Sequence, residues 1–144
     1  MGYRYTILAL LAIALLGGVT LADDKPKAVD AFRAALAAED VDALESLLPE
    51  RGRIRVRLDR LGDQKGELRS GQLKAILDRF FERGKIRSVE IESTHRAGSQ
   101  ALARLRTAIT TASGRDVTIT LHLTLAKEEK RWVVRELREA RRSS

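Results

Sequence analysis

The sequence predicts an α+β domain in which helices lead and an antiparallel sheet follows. Two observations predict it. Apolar residues recur at spacings of three and four before Pro49 and again from Ser70 to Gly84, marking one face of a helix each time. After Gly84 the period falls to two and stays there to Leu137, as half-buried strands require.

A leader precedes the domain. Arg4 supplies a positive start, Thr6 to Leu16 run apolar without a charge, and Gly17-Gly18 break the run. Thr20-Leu21-Ala22 then offers small residues ahead of Asp23. Residues 1–22 therefore read as a secretory signal peptide cleaved near Ala22, and residues 23–144 as one domain. The apolar stretch falls short of the ~20 residues that comfortably span a bilayer, although a retained N-terminal anchor is the alternative. No membrane span is expected after cleavage, and the chain is expected in the periplasm or outside the cell.

The elements follow in order. Asp24 caps a first helix with Pro26 in its first turn, and Val29, Phe32 and Leu36 mark its inner face beside Ala28 and Ala35. Asp40 restarts a second, short helix through Val41, Leu44, Leu47 and Leu48 that Pro49 stops. Arg53 to Leu58 alternates strictly, with Ile54, Val56 and Leu58 inward and Arg53, Arg55 and Arg57 outward. Gly62 to Gly66 is polar and reads as a turn. Ser70 opens the clearest helix, with Leu73, Ile76, Leu77, Phe80 and Phe81 on one face and Gly84 at its end.

Four strands complete the chain. Val89 and Ile91 oppose Glu90 and Glu92; Ala103, Leu105 and Ile109 share a core face after a turn at Gly98. Val117, Ile119, Leu121, Leu123 and Leu125 alternate with Thr118, Thr120, His122 and Thr124. In the last strand, Trp132 and Val134 compete with Val133 and Leu137 for the inward face. With Gly98 at the centre of the first hairpin, Glu90 lies opposite Arg106, Glu92 opposite Arg104 and Ile91 opposite Leu105, a register that satisfies both faces.

Composition bounds the function. There are 27 Lys and Arg, one of them Arg4, against 20 acids, so the 122-residue mature chain carries +6. That excess draws a protein toward anionic surfaces. Nucleic acid is disfavoured as a partner, because no basic block has aromatic residues interleaved for base stacking. The chain has no cysteine, which excludes disulfides, zinc fingers and thiol chemistry.

Three stretches carry a family likeness: Gln72-Leu73-Lys74-Ala75-Ile76-Leu77-Asp78-Arg79-Phe80-Phe81, then Ser88-Val89-Glu90-Ile91, then Trp132-Val133-Val134-Arg135-Glu136-Leu137-Arg138. With the order of elements, they make Pro26 to Arg138 resemble the nuclear transport factor 2-like superfamily, also called cystatin-like or SnoaL-like. Within it, the chain resembles a branch of small exported bacterial proteins grouped as a domain of unknown function. The resemblance implies N-terminal helices packed on a curved antiparallel sheet that forms a cone. Phe32, Phe80, Phe81, Leu105, Leu121 and Trp132 would then line or fill that cone. It also implies pairing of two copies through the outer sheet face, here Thr118, Thr120, His122 and Thr124 with Arg104 and Arg106. The superfamily hosts isomerases, dehydratases, cyclases and binding modules alike, so the fold leaves the activity open.

Catalytic members of that superfamily use an Asp or His base, often with a Tyr or second acid. Tyr3 and Tyr5 both lie in the leader, which leaves the mature domain without tyrosine. His95 falls in a turn-like stretch and His122 on the polar side of a strand, where an exposed or interface role is favoured over a general base. Asp59 follows a strand and Asp78 sits beside Arg79 and Lys74 on a solvated helix face. No metal-ligand spacing, nucleophile elbow or phosphate loop is present, and no cofactor is called for. Arg53, Arg55, Arg57, Arg104 and Arg106 are the candidate anion-binding residues, should their strands adjoin; an edge guard against aggregation is the plainer role.

These readings favour an exported, non-enzymatic binding or assembly module of the cell envelope. Its partner would be a small apolar ligand in the cone, an anionic envelope component on the arginine face, or a second copy on the threonine-rich face. The rival is a small lyase or isomerase working in the cone, which needs polar residues on core-facing positions; alternation offers Thr107 and Ser93.

Overall fold

The computed structural model describes residues 26–141. The leader, its cleavage point and Asp24 lie outside the described residues. Helix α1 (Lys27–Ala37) starts from Pro26, whose extended backbone forms the N-cap without a side-chain bond, and it buries Val29, Phe32, Ala35 and Leu36. A reversal at Glu39, which has φ of +55°, leads into α2 (Val41–Glu45). The Asp40 carboxylate accepts the Ala43 N–H at 3.1 Å and caps α2, as its position predicts. The helix ends before Pro49 is reached, in turns over residues 46–48.

Strand β1 (Ile54–Leu58) buries Ile54, Val56 and Leu58 and turns its arginines outward. The segment expected as a turn is a strand. Residues Gln64–Leu68 form β2, antiparallel to β1, with Ile54 opposite Leu68 and Leu58 opposite Gln64. It carries no apolar alternation because only Leu68, at its end, packs against the core, and such a short, polar edge is a guarded one. Helix α3 (Ser70–Arg83) follows, with the Gln72 side chain accepting the N–H of Arg69 at 2.9 Å. Lys74 on α3 ties it to α2 through Glu45 at 2.8 Å and Asp42 at 3.7 Å. Gly84 ends α3 with an extended backbone, not a left-handed one. Its lack of a Cβ still matters, since one there would stand 2.7 Å from the Phe80 ring and 2.8 Å from the Thr110 carbonyl oxygen.

Strands β3 (Lys85–Ala97), β4 (Gln100–Thr110), β5 (Asp116–Glu128) and β6 (Arg131–Glu139) meander. The curved, unclosed sheet runs β2-β1-β6-β5-β4-β3, and β1 with β6 is its one parallel pair. Helices cover its inner face. Phe32, Leu36, Leu44, Leu73 and Leu77 from the helical layer meet Leu105, Ile109, Leu121, Leu123 and Val134 from the sheet. Among the described residues, no helix is long and apolar enough to cross a membrane.

Bulges decide which side chains face in. Between β3 and β4 the expected pairs Glu90 with Arg106 and Ile91 with Leu105 are present. Glu92 does not reach Arg104, because the register shifts there and Ser93 takes that place. The extra residue lets a two-residue turn form, with Gly98 at φ +60° in its first position. It also turns Ser93 outward, so of the two polar residues expected on the core face only Thr107 lies there. β3 has a further shift between Ile86 and Ser88, and in β6 another falls between the Leu125–Val134 and Thr124–Glu136 pairs. Arg135 is the extra residue. Trp132 and Val134 before it and Leu137 after it therefore share the inner face, and the competition between the two apolar sets disappears. Arg135 binds the Glu128 carboxylate through Nε at 2.6 Å and the Arg53 carbonyl through Nη1 at 3.2 Å.

Candidate binding face on the sheet

Cross-strand register assembles the outer face. Lys65 on β2 lies opposite Arg57 on β1, and Arg57 opposite Arg138 on β6. Arg138 lies opposite His122 on β5, His122 opposite Arg104 on β4, and Arg104 opposite Ser93 on β3. One transverse row thus reads Lys65, Arg57, Arg138, His122, Arg104, Ser93 across all six strands. From Lys65 to Arg104 it spans four strand spacings, or ~19 Å.

Of the arginines singled out in the sequence, Arg55, Arg57, Arg104 and Arg106 are brought onto one face but not onto adjoining strands, since β6 and β5 stand between β1 and β4, and Arg53 lies ahead of β1. Arg138 and His122 fill that gap. Arg138 and Lys65 were not among the candidates; the spacing of Arg138 two residues from Glu136 puts both on one side of β6, but which side was undecided in the sequence. Neighbouring rows are mixed. One holds Glu67, Arg55, Glu136, Thr124, Leu102 and His95; the other sets Thr120 and Arg106 beside Glu90. Glu136 is shared between Arg55 at 3.5 Å and Arg138 at 3.4 Å. Among the described residues, no carboxylate stands within ion-pair distance of Arg57, Arg104 or Arg106.

Like charges directly opposite one another on a sheet are destabilising. The row concentrates them. His122 responds: burial, then Arg138 and Arg104 on either side, lower its pKa from the usual histidine range, with Glu136 opposing the shift. Around it lies a depression of about 250 Å³ with Arg104, Arg138, Thr124 and the half-exposed Leu102 on its walls. Thr118, Thr120 and Thr124, the candidate pairing residues, share this face with His122.

A second polar feature was not foreseen. Glu139, at the end of β6, is only 4% exposed and lies opposite Leu121 on the inner side of the sheet. One carboxylate oxygen accepts three successive backbone N–H groups, from Asp59, from Arg60 at 2.7 Å and from Leu61 at 3.3 Å. Burial raises its pKa even so, the N–H groups of Asp59 and Leu61 acting against the rise. Beside it a groove of about 610 Å³ opens where β6 stops short of the start of β5.

No family model matches the chain, and no curated protein does. Solved structures do match. A protein with a ketosteroid isomerase-like fold from Catenulispora acidiphila DSM 44928, in complex with trimethylamine, aligns with a TM-score of 0.63, over 81% of this chain and 86% of that one, at 14% identity. A designed nuclear transport factor 2-like protein aligns at 0.62, over 79% of this chain and 94% of its own, at 16% identity. The chain has the nuclear transport factor 2-like fold. A DUF4783 family protein from Bacteroides ovatus ATCC 8483 shares it, with a TM-score of 0.61 over 79% of this chain and 94% of that one, at 10% identity.

In this nuclear transport factor 2-like cone, Phe32, Leu105 and Leu121 are each no more than 1% exposed and pack into one another's layer. Phe80 is nearly buried and meets the half-buried Phe81 edge-on, with ring centroids 6.1 Å apart. Trp132 sits at the rim, where the Arg96 guanidinium lies 5.3 Å over its ring. The Thr107 hydroxyl is buried on the inner face without a hydrogen-bond partner. His95 is exposed near the tip of β3.

Proposed function

We propose that this chain is an exported, non-catalytic binding module whose working surface is the outer face of the sheet, and that its partner is an anionic component of the cell envelope. The transverse row of Lys65, Arg57, Arg138, His122 and Arg104 carries this reading. Such a line of cations costs folding energy that an anionic partner repays on binding. A second copy laid face to face with the rows aligned would set guanidinium groups against guanidinium groups, which favours an anion over self-pairing in that register. The packed interior argues the same way, because Phe32, Leu105 and Leu121 occupy the space that a small apolar ligand would take. The leader supports export.

The rival lyase or isomerase has one observation in its favour, the buried Glu139 with its raised pKa. That carboxylate is already engaged in holding the N–H groups that follow β1, and among the described residues Thr107 is the one other buried polar residue. The test is binding to phosphatidylglycerol vesicles and to soluble polyphosphate, measured for the wild-type chain and for the triple reversal Arg57→Glu, Arg104→Glu, Arg138→Glu. The reading expects binding of at least one probe, weakened about tenfold or more by the reversal and by added salt. Binding that the reversal leaves unchanged would refute it.

A further inference from the structure

What the outer face takes can be read from how its charges are arranged, granted that the face is the working surface. The cations stand in single file. On one side the next row contains Glu67 and Glu136; on the other, Arg106 is paired across the strands with Glu90. A flat anionic surface would meet those carboxylates along with the cations. A linear chain of charges laid across the strands would meet chiefly the cations, with Glu136, paired to Arg138 at 3.4 Å, at its edge. Lys65, Arg57 and Arg138 stand one strand apart, ~4.8 Å, and Arg104 two strands beyond Arg138 across His122, separations that long Arg and Lys side chains can adjust to a repeating phosphate. No Phe, Tyr or Trp belongs to the row, so bases would lack the large stacking platforms that single-strand binders use.

We infer that the row is a single site for a linear phosphate polymer lying across the strands, with His122 as its proton-accepting centre. His122 stands between Arg138 and Arg104, with Thr120 and Thr124 along its own strand and Glu136 and Arg106 on the diagonals. With the row empty, burial and the two guanidinium groups keep its imidazole neutral near pH 7. A phosphate seated between those arginines offsets their charge and offers the imidazole an acceptor. His122 then takes up a proton and adds a fifth full charge beside Lys65, Arg57, Arg138 and Arg104. Binding and protonation are linked, so the site tightens as pH falls.

The experiment is calorimetric titration of the purified chain with inorganic polyphosphate at about pH 8 and about pH 5.5. The expected result is affinity about three- to tenfold higher at the lower pH, abolition of that difference by His122→Gln, and its retention in His95→Gln. Polyphosphate binding without pH dependence, or a dependence that survives His122→Gln, would overturn the role of His122. Orthophosphate binding as tightly as the polymer would overturn the linear site. Binding to phosphatidylglycerol vesicles but not to polyphosphate would overturn the ligand class while leaving the outer face as the working surface. Binding of neither would bring down both readings.

Discussion

Glu139 offers the sharpest test of the packing, because its two substitutions pull in different directions. Its carboxylate is buried and accepts the N–H groups of Asp59, Arg60 and Leu61. Of these three residues only Leu61 is itself buried; Asp59 is exposed and Arg60 half-exposed. Glu139→Ala therefore leaves one donor dry, at a cost of about 1–3 kcal/mol, while the other two can turn to water. Glu139→Gln keeps an acceptor oxygen in place and removes a charge that burial penalises. It should cost less than ~1 kcal/mol.

The pH dependence has a definite sign. The folded carboxyl holds its proton more tightly than the unfolded one, which titrates near ~4.3. In the window between that value and the raised folded one, the folded state binds more protons. Wild type should lose stability relative to Glu139→Gln as pH rises through this window and regain it as pH falls. Urea unfolding of wild type and both variants across that window reads the effect. A Gln variant as damaged as the Ala variant, or a wild type–Gln difference that does not change with pH, would refute the account of this carboxylate.

Two further outcomes test other parts of the fold. Phe80→Ala should cost about 3–5 kcal/mol in urea unfolding, since the nearly buried ring packs against Gly84 and Phe81; a loss below ~1 kcal/mol would remove it from the core. The β5–β6 turn places Glu129 and Lys130 at φ +50° and +66°, a pair of left-handed residues that Asn-Gly adopts at less cost. The double change Glu129→Asn, Lys130→Gly should thus raise stability by about 1 kcal/mol, and a loss instead would show the turn to be differently formed.

Much of the fold was legible because its signals are local. The spacing of Leu73, Leu77 and Phe80 and the alternation from Val117 to Leu125 each follow from one element's own contact with the core. Strand β2 was not legible, since only Leu68 of Gln64–Leu68 packs against the core and the strand exists through its pairing with β1. The bulges at Glu92 and Arg135 were hidden for a related reason. One inserted residue reverses inside and outside for everything beyond it, and nothing in the local composition announces it.

The same effect concealed Glu139. Among Arg135, Glu136, Arg138 and Arg141 it looks like one more surface charge, yet the Arg135 bulge puts it on the inner face with Leu137. The candidate face was half visible. Alternation showed that Arg53, Arg55 and Arg57 share one side of a strand and Arg104 and Arg106 another. It could not show that a parallel pairing of β1 with β6 would bring Arg57 beside Arg138, and so into line with His122 and Arg104.

The central claim is that the outer face of the sheet, and not the interior of the cone, is where this protein binds. The most direct test is an amide NMR titration of the isotopically labelled chain with polyphosphate. The account predicts the largest shift changes at Arg57, Arg138, His122 and Arg104, with little change at Phe32, Leu77 and Thr107. Changes concentrated on those inner residues and on α1 and α3 would contradict it.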